Sequence, residues 1–270
     1  MSKLTDVSSH YEFGANWKEF GSQLSDVAIQ EAIKSLARLL EPSEIAGRRV
    51  LDIGCGSGLS ALAALRLGAA SVTALDIDQE SVETARHLLQ SGAPDGPWTV
   101  EQRSVFDTTE MPQFDIVHSW GVLHHTGDMH RAIRMAAERV APGGLLCIAL
   151  YRKTPLCWAW RWEKRFYTAA PLWLRRLFEA AYKTALRVRI TLAGGSFRDY
   201  AANYADGRGM DFETDVRDWL GGYPYESISE AEVDSLASGL GLTSVRRFCD
   251  SPGIGVFGSG CDEYVFRRTA

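Results

Sequence analysis

The stretch from Arg48 to Asp78, RRVLDIGCGSGLSALAALRLGAASVTALDID, constrains the fold more than any other part of the chain. An apolar run ends in a glycine-rich turn. An alanine- and leucine-rich segment follows and stops at Gly68, and a second apolar run then ends in acids. That order predicts strand, turn, helix, strand. Such a βαβ unit presents its turn to a nucleotide or nucleoside, and the turn alone does not say which.

The alternation continues. QESVETARHLLQSG reads as a helix ending at Gly92, and WTVEQRSVFD as a third strand and loop. FDIVHSWG is a fourth strand, DMHRAIRMAAERVAPGG a helix closed by Pro142 and Gly143, and LLCIALY a buried fifth strand. Apolar strands alternating with helices imply a parallel sheet covered on both faces. Upstream, SDVAIQEAIKSLARLL sets Val27, Ile29, Ile33, Leu36 and Leu40 mostly on one helical face, with Ser25 as a candidate cap. Downstream, the helix SEAEVDSLASGLG precedes two terminal strands, TSVRRFCD and CDEYVFRR. Only a glycine-rich loop joins those two, so they are expected to pair antiparallel.

The expected fold is therefore α/β, a doubly wound, mostly parallel seven-stranded sheet with an antiparallel last strand. An N-terminal helical segment (1–45) precedes the core (46–150). A helical, aromatic cap rich in basic residues and loops (151–228) follows strand five, and the final helix and hairpin (229–270) close a single domain.

Two details bear on the ligand of the turn. The spacing is Gly54-x-Gly56-x-Gly58, not the G-x-G-x-x-G of dinucleotide sites. Asp52 also stands two residues before the first glycine, where it would repel a pyrophosphate seated at the helix N-terminus. S-Adenosylmethionine has no phosphate and carries an ammonium and a sulfonium, which suit a nearby acid. Asp76 lies about 20 residues beyond the glycines at the next strand end, the usual position of an acid that binds ribose hydroxyls. Asp78 fits better as the cap of the following helix.

On these residues the chain resembles class I, Rossmann-like, S-adenosylmethionine-dependent methyltransferases of the small-molecule type. The resemblance covers about residues 48–150 and the terminal helix and hairpin. It implies that Asp52, Gly54, Gly56 and Gly58 form the cofactor turn. It gives Asp76 to the ribose, Ile77 to the adenine face, and the SVFD run (Val105, Phe106, Asp107) to the adenine ring and amino group. In FDIVHSWGVLHH it implies that Ser119, Trp120 and Gly121 line the methionine end. APGGLLCIALY matches the family's turn into strand five.

Methyl transfer from a sulfonium is an in-line displacement, so the protein mainly positions the acceptor and excludes water. An oxygen or amine acceptor also has a proton to lose, a task suited to histidine. His124 and His125 follow strand four at the edge where open α/β sheets hold ligands, and either is a candidate base or orienting group. A capping or packing role competes with that reading. Adjacent histidines are expected to point apart, so no metal site is read here. His118 lies in a strand, and His10, His87 and His130 read as surface residues.

The aromatic start, YEFGANWKEF, offers Tyr11, Phe13 and Trp17 as a cover over the cofactor. Plain packing on the sheet competes with that. In the cap, Tyr151, Arg208, Asp218, Trp219, Tyr223, Tyr225 and Glu226 could wall an acceptor pocket or simply a structural lid. The first half of the cap is basic. Arg152, Lys153, Arg161, Lys164, Arg165, Arg175, Arg176, Lys183, Arg187 and Arg189 face only Glu163 and Glu179 in residues 151–190. Interleaved with Trp158, Trp160, Trp162 and Trp173, they read as a solvated face, an anionic-membrane contact, or, last, an RNA grip.

Composition adds exclusions. With 46% hydrophobic and 23% charged residues the chain is globular, and a net charge of −5 argues against nucleic acid as a partner. No apolar run reaches the roughly 18 residues that span a bilayer, and no apolar leader is read at the start. Five cysteines without a close pair point to reduced thiols in the cytoplasm. The expected function is methylation of O, N or S on a small-molecule acceptor, with S-adenosylmethionine as cofactor. A small thiol, or a lipid- or quinone-like acceptor at a membrane surface, is the nearest alternative. A non-catalytic S-adenosylmethionine-binding module is the alternative of another class, and a dehydrogenase is disfavoured by Asp52 and the glycine spacing.

Overall fold

The computed structural model describes residues 11, 26–204, 212–250 and 253–269. Its core is a seven-stranded sheet of order β3-β2-β1-β4-β5-β7-β6. The strands are β1 (Arg49–Ile53), β2 (Ser71–Asp76), β3 (Trp98–Gln102), β4 (Phe114–Trp120), β5 (Val140–Tyr151), β6 (Leu242–Phe248) and β7 (Cys261–Arg268). β1 to β5 pair in parallel, and β7 runs antiparallel between β5 and β6. The expected sheet and its reversed last strand are both present.

The strands read as apolar runs because both faces are covered. One face packs Val50, Val72, Ala74 and Ile116 beneath α1 (Asp26–Leu39), α3 (Leu59–Arg66) and α4 (Gln79–Gly92). The other packs Leu51, Ile53, Val117, Leu146 and Ile148 beneath α5 (Met129–Glu138) and α10 (Glu230–Gly239). A short helix, α2 (Pro42–Ile45), joins α1 to β1. α1 buries Leu36 and Leu39 against α3, and its expected cap Ser25 lies outside the described residues. Asp78 caps α4 by accepting from the N–H groups of Glu80 and Ser81, as its position suggested.

The insert is the expected helical, aromatic cap, with more of its length in helix than its composition suggested: α6 (Cys157–Ala169), α7 (Leu172–Leu192), α8 (Phe197–Ala202) and α9 (Phe212–Gly221). These helices close on a third, separate core of Tyr167, Leu186, Phe212, Val216 and Leu220. Their periodicity is hard to read because tryptophan and arginine stand on the outer faces as well. The basic patch is also partly neutralised by distant acids. Arg152 pairs with Asp262, Lys153 with Glu232 at 2.8 Å, and Lys183 with Glu213 at 2.8 Å. Arg175 donates to the carbonyls of Tyr167, Thr168 and Ala170. Among the described residues no helix is long and apolar enough to cross a membrane.

Candidate functional site

The five parallel strands end along one edge, and that edge gathers the motifs of the sequence. The turn after β1 departs from ordinary backbone at every glycine of the motif: φ is +73° at Gly54, +52° at Gly56 and +84° at Gly58. Only glycine adopts these values without strain. Gly54 is also a close-approach position, because a Cβ there would sit 2.4 Å from a Val122 methyl. Gly54 and Cys55 both donate to the Leu75 carbonyl, tying the turn to the end of β2.

Asp76 completes this tie. One carboxylate oxygen accepts from Gly56 N–H and the other from Asp78 N–H, each at 2.9 Å. Burial nevertheless pushes its carboxyl up to about 6, and the two backbone donors offset only part of that. Beside it the Ile77 side chain is 41% exposed, an apolar face left open at the strand edge. Phe106 and Asp107 stand on a short helical turn, Val105–Asp107, after β3. Arg131 covers the Phe106 ring at 4.6 Å, and Asp107 points outward. Val105 instead packs its side chain into the core, so only its backbone faces the edge.

Asp52 holds a surprise that register explains. It lies opposite His118 across β1 and β4, and its Oδ1 meets His118 Nδ1 at 2.7 Å. Its other oxygen, Oδ2, is buried without a partner. A buried unpaired carboxylate oxygen is costly in the chain alone and fits the need of a ligand ammonium. Among the described residues the motif therefore offers one acidic oxygen without a hydrogen bond, a second carboxylate at the strand end and an open apolar face, which suits a nucleoside bearing an amino-acid tail. Ser119 is fully buried and donates its hydroxyl to the Ile53 carbonyl, so it holds β4 to β1. Trp120 donates to Glu263 at 2.8 Å, and a Cβ at Gly121 would meet nothing within 4 Å.

His124 and His125 share the helical turn Leu123–His125, and their rings are only 4.4 Å apart. This corrects the expectation that they diverge: a tight turn keeps consecutive rings side by side. Their partners give them opposite tautomers. Tyr151 N–H donates to His124 Nδ1 at 3.3 Å, so the proton of the neutral ring sits on Nε2, which is buried and has no partner at hydrogen-bond distance among the described residues, while the Ala149 carbonyl near the ring favours its protonation. Pro224 O can only accept, so His125 Nδ1 carries the proton in their 2.8 Å bond and Nε2 keeps the lone pair. Burial, with the neighbouring charges of His125 and Lys164, holds His124 well below the usual histidine value, so it stays neutral. His125 is the more open of the two. His87 and His130 lie on the surface as expected, and no His/Cys/Asp/Glu cluster fit for a metal occurs among the described residues.

Of the acceptor-wall candidates, Tyr151, Trp219 and Tyr225 come together. Tyr151 lies 5.5 Å from Trp219 and 5.2 Å from Tyr225, ring to ring. The Tyr225 hydroxyl lies within hydrogen-bond distance of Ser259 Oγ at 3.0 Å and Cys157 Sγ at 3.2 Å, so that residue offers a ring face. Glu226 departs from its expected role, since its carboxylate accepts from Met129 N–H and anchors the start of α5. Tyr11 N–H donates to Tyr223 O, and the Tyr11 ring packs on Tyr167 at 6.4 Å. Trp17, Phe13 and Arg208 lie outside the described residues. The sequence reading missed Trp160 and Lys164 as members of this ring cluster. Their spacing from Trp219 in the chain gives no signal, because only the packing of α6 on α9 brings them together.

Residues 24–183 match the family described as "Methyltransferase domain". A ubiquinone biosynthesis O-methyltransferase of Xanthomonas euvesicatoria is 42% identical over 121 residues, covering 43% of this chain and 48% of that protein. One from Bordetella avium is 36% identical over 130 residues, covering 46% and 49%. The chain thus spans about half the length of the curated relatives it matches. Two solved structures share its fold at low identity. Magnesium protoporphyrin IX methyltransferase from Synechocystis, with bound SAH, superposes with a TM-score of 0.55 at 17% identity, covering 90% of this chain and 84% of that one. An N-methyltransferase of Bradyrhizobium japonicum, in complex with S-adenosyl-l-homocysteine, gives 0.54 at 16% identity, covering 96% and 100%.

Proposed function

The chain belongs to the methyltransferase-domain family, and on that premise we propose that it moves a methyl group from S-adenosylmethionine to O, N or S of a small-molecule acceptor. The observation that carries this reading is the glycine turn tied to Asp76, with an unpartnered Asp52 oxygen beside it. When bound, the donor supplies an activated methyl on a sulfonium, which leaves as a neutral thioether.

In this reading Asp76 accepts from ribose hydroxyls and Ile77 covers one face of the adenine. Phe106 and Asp107 take the ring and its amino group, the Gly121 backbone approaches the methionine end, and Asp52 takes the ammonium. His125 Nε2 receives the proton of an oxygen or nitrogen acceptor, since Pro224 O fixes its tautomer for that role. His124 donates through Nε2 and orients the acceptor. Tyr151, Trp219 and Tyr225 wall off water. Titration calorimetry with S-adenosylhomocysteine and with NAD tests the reading: micromolar binding of the first alone is expected, and binding of NAD alone sinks it.

A finer reading concerns where the enzyme works. Trp162 and Trp173 are 64% and 69% exposed on α6 and α7, and the same two helices carry the exposed Arg161, Arg165, Arg176 and Arg187 without ion pairs among the described residues. Tryptophan with unpaired arginine on one surface favours an anionic bilayer, and hence peripheral contact from the cytoplasm. Co-sedimentation with phosphatidylglycerol vesicles but not phosphatidylcholine vesicles is the expected result.

A further inference from the structure

Eight buried side-chain atoms have no hydrogen-bond partner among the described residues. Four of the eight belong to His124, Glu163 and Trp219, which border one aromatic cluster under the cap. Tyr151 links them, 3.9 Å from the His124 ring and 5.5 Å from the Trp219 ring. Trp160 adds a further wall at 5.0 Å from Trp219. Buried polar atoms normally find partners, so a concentration of orphans beside the candidate site marks where a ligand supplies them.

The type of ligand follows from the donors. Trp219 Nε1–H only donates, and the tautomer of His124 makes its Nε2 a donor too. Lys164 is fully buried in the same cluster. Its ammonium lies 3.6 Å over the Trp219 ring and 5.5 Å from the Tyr225 ring, and it donates to the Trp219 carbonyl. That uses one of three N–H bonds. Among the described residues no carboxylate hydrogen-bonds it: Glu163, the next residue on α6, attracts it electrostatically but leaves both oxygens without a hydrogen bond. Burial holds Lys164 well below the usual lysine value and lifts Glu163, and the attraction between the two offsets only part of that cost. A buried ammonium against ring faces, with two further donors near it and no hydrogen-bonded carboxylate, suits an anionic oxygen.

Resting on the methyl-transfer reading above, we propose that the acceptor is a flat molecule carrying an ionised oxygen, a carboxylate or an acidic hydroxyl, and that Lys164 is the residue that selects it. The rings of Tyr151, Trp160, Trp219 and Tyr225 hold its faces, while His124 and Trp219 donate to its oxygens. Glu163 tunes the selection, because its charge opposes an anion in the same pocket.

The test is calorimetry on the full chain saturated with S-adenosylhomocysteine, using naphthoate, naphthalene-methanol and naphthyl-methylamine as matched anionic, neutral and cationic rings. The wild type is expected to bind naphthoate at least tenfold tighter than the amine. Lys164→Met removes that preference, Lys164→Arg keeps it, and Glu163→Gln widens it severalfold. Phenol against para-nitrophenol, which ionises near neutral pH, separates the two sources: tight nitrophenol and weak naphthoate binding assigns an acidic hydroxyl, and the reverse a carboxylate. The proposal is overturned if the amine binds as tightly as the acids, if Lys164→Met weakens all rings equally, or if none binds beside bound S-adenosylhomocysteine. A chain that binds no S-adenosylhomocysteine overturns the methyl-transfer reading instead.

Discussion

The two ends of the candidate site are built differently. The turn after β1 is made of main chain: glycine dihedrals, amides donating to Leu75 and Asp76, and a Cβ-free approach to Val122. The cap side is made of side chains: four rings, a buried lysine and several polar atoms left without partners. A main-chain site tolerates little change but is indifferent to most neighbouring side chains. A side-chain site is specific and easily retuned, because each wall is one substitution from another shape. On the proposed reading the main-chain end holds the donor, and the cap is the side that selects the acceptor.

The contrast breaks first at His125, which belongs to the cap side by its bond to Pro224 but is the proposed base at the edge. His125→Ala is expected to lower kcat by about 10²–10⁴-fold with an oxygen or amine acceptor and to leave donor affinity intact. Single-turnover rates with calorimetry check this, and an unchanged kcat assigns sulfur or an already ionised acceptor. Gly54→Ala attacks the main chain itself. A left-handed residue costs about 1–2 kcal/mol and the overlap with Val122 about 1–3 kcal/mol more, to be read by urea denaturation. Gly121→Ala shares a positive φ of +77° but has open space, so it should lose only the first of those amounts.

Asp76→Ala sharpens the donor side. Removing a charged acceptor of hydrogen bonds costs about 1.5–3 kcal/mol, or roughly 10–100-fold in S-adenosylhomocysteine affinity. The same carboxyl sets a pH dependence. Its value in the ligand-free chain is raised to about 6, so it is charged above that pH and takes a proton below it. A ribose donates best to the charged form, so affinity should hold above pH 6 and fall by up to about tenfold per unit below it. Titrations across that range check it, and Asp76→Ala should flatten the profile. The smallest effect belongs to the outer cap. Trp162→Ser should change stability by less than about 0.5 kcal/mol while weakening sedimentation with anionic vesicles.

Much of the core was legible because its signals are local. Apolar runs, Gly68 and Gly92 as stops, and Asp78 as a cap each act within a few residues, and the expected strands and helices formed there. The glycine turn was legible for the same reason. The His118–Asp52 pair was not, although both residues stood in quoted motifs, because it depends on which strands become neighbours. Glu226 misled in a similar way: a carboxylate near a presumed pocket was taken up by the N-terminus of α5, which needs an acceptor for Met129 N–H. The cap was legible as helical and aromatic but its helices could not be delimited, because they expose tryptophan and bury lysine, reversing the pattern by which helices are recognised.

The sequence by itself determined the βαβ order, the reversed last strand and a turn that only glycine can make, since backbone geometry and short-range periodicity are written in consecutive residues. Tertiary structure alone decided the two histidine tautomers and the buried lysine under the rings. Tyr151, Lys164, Trp219 and Pro224 meet there only after four segments pack, and hydrogen-bond roles and desolvation belong to that packing rather than to any stretch of chain.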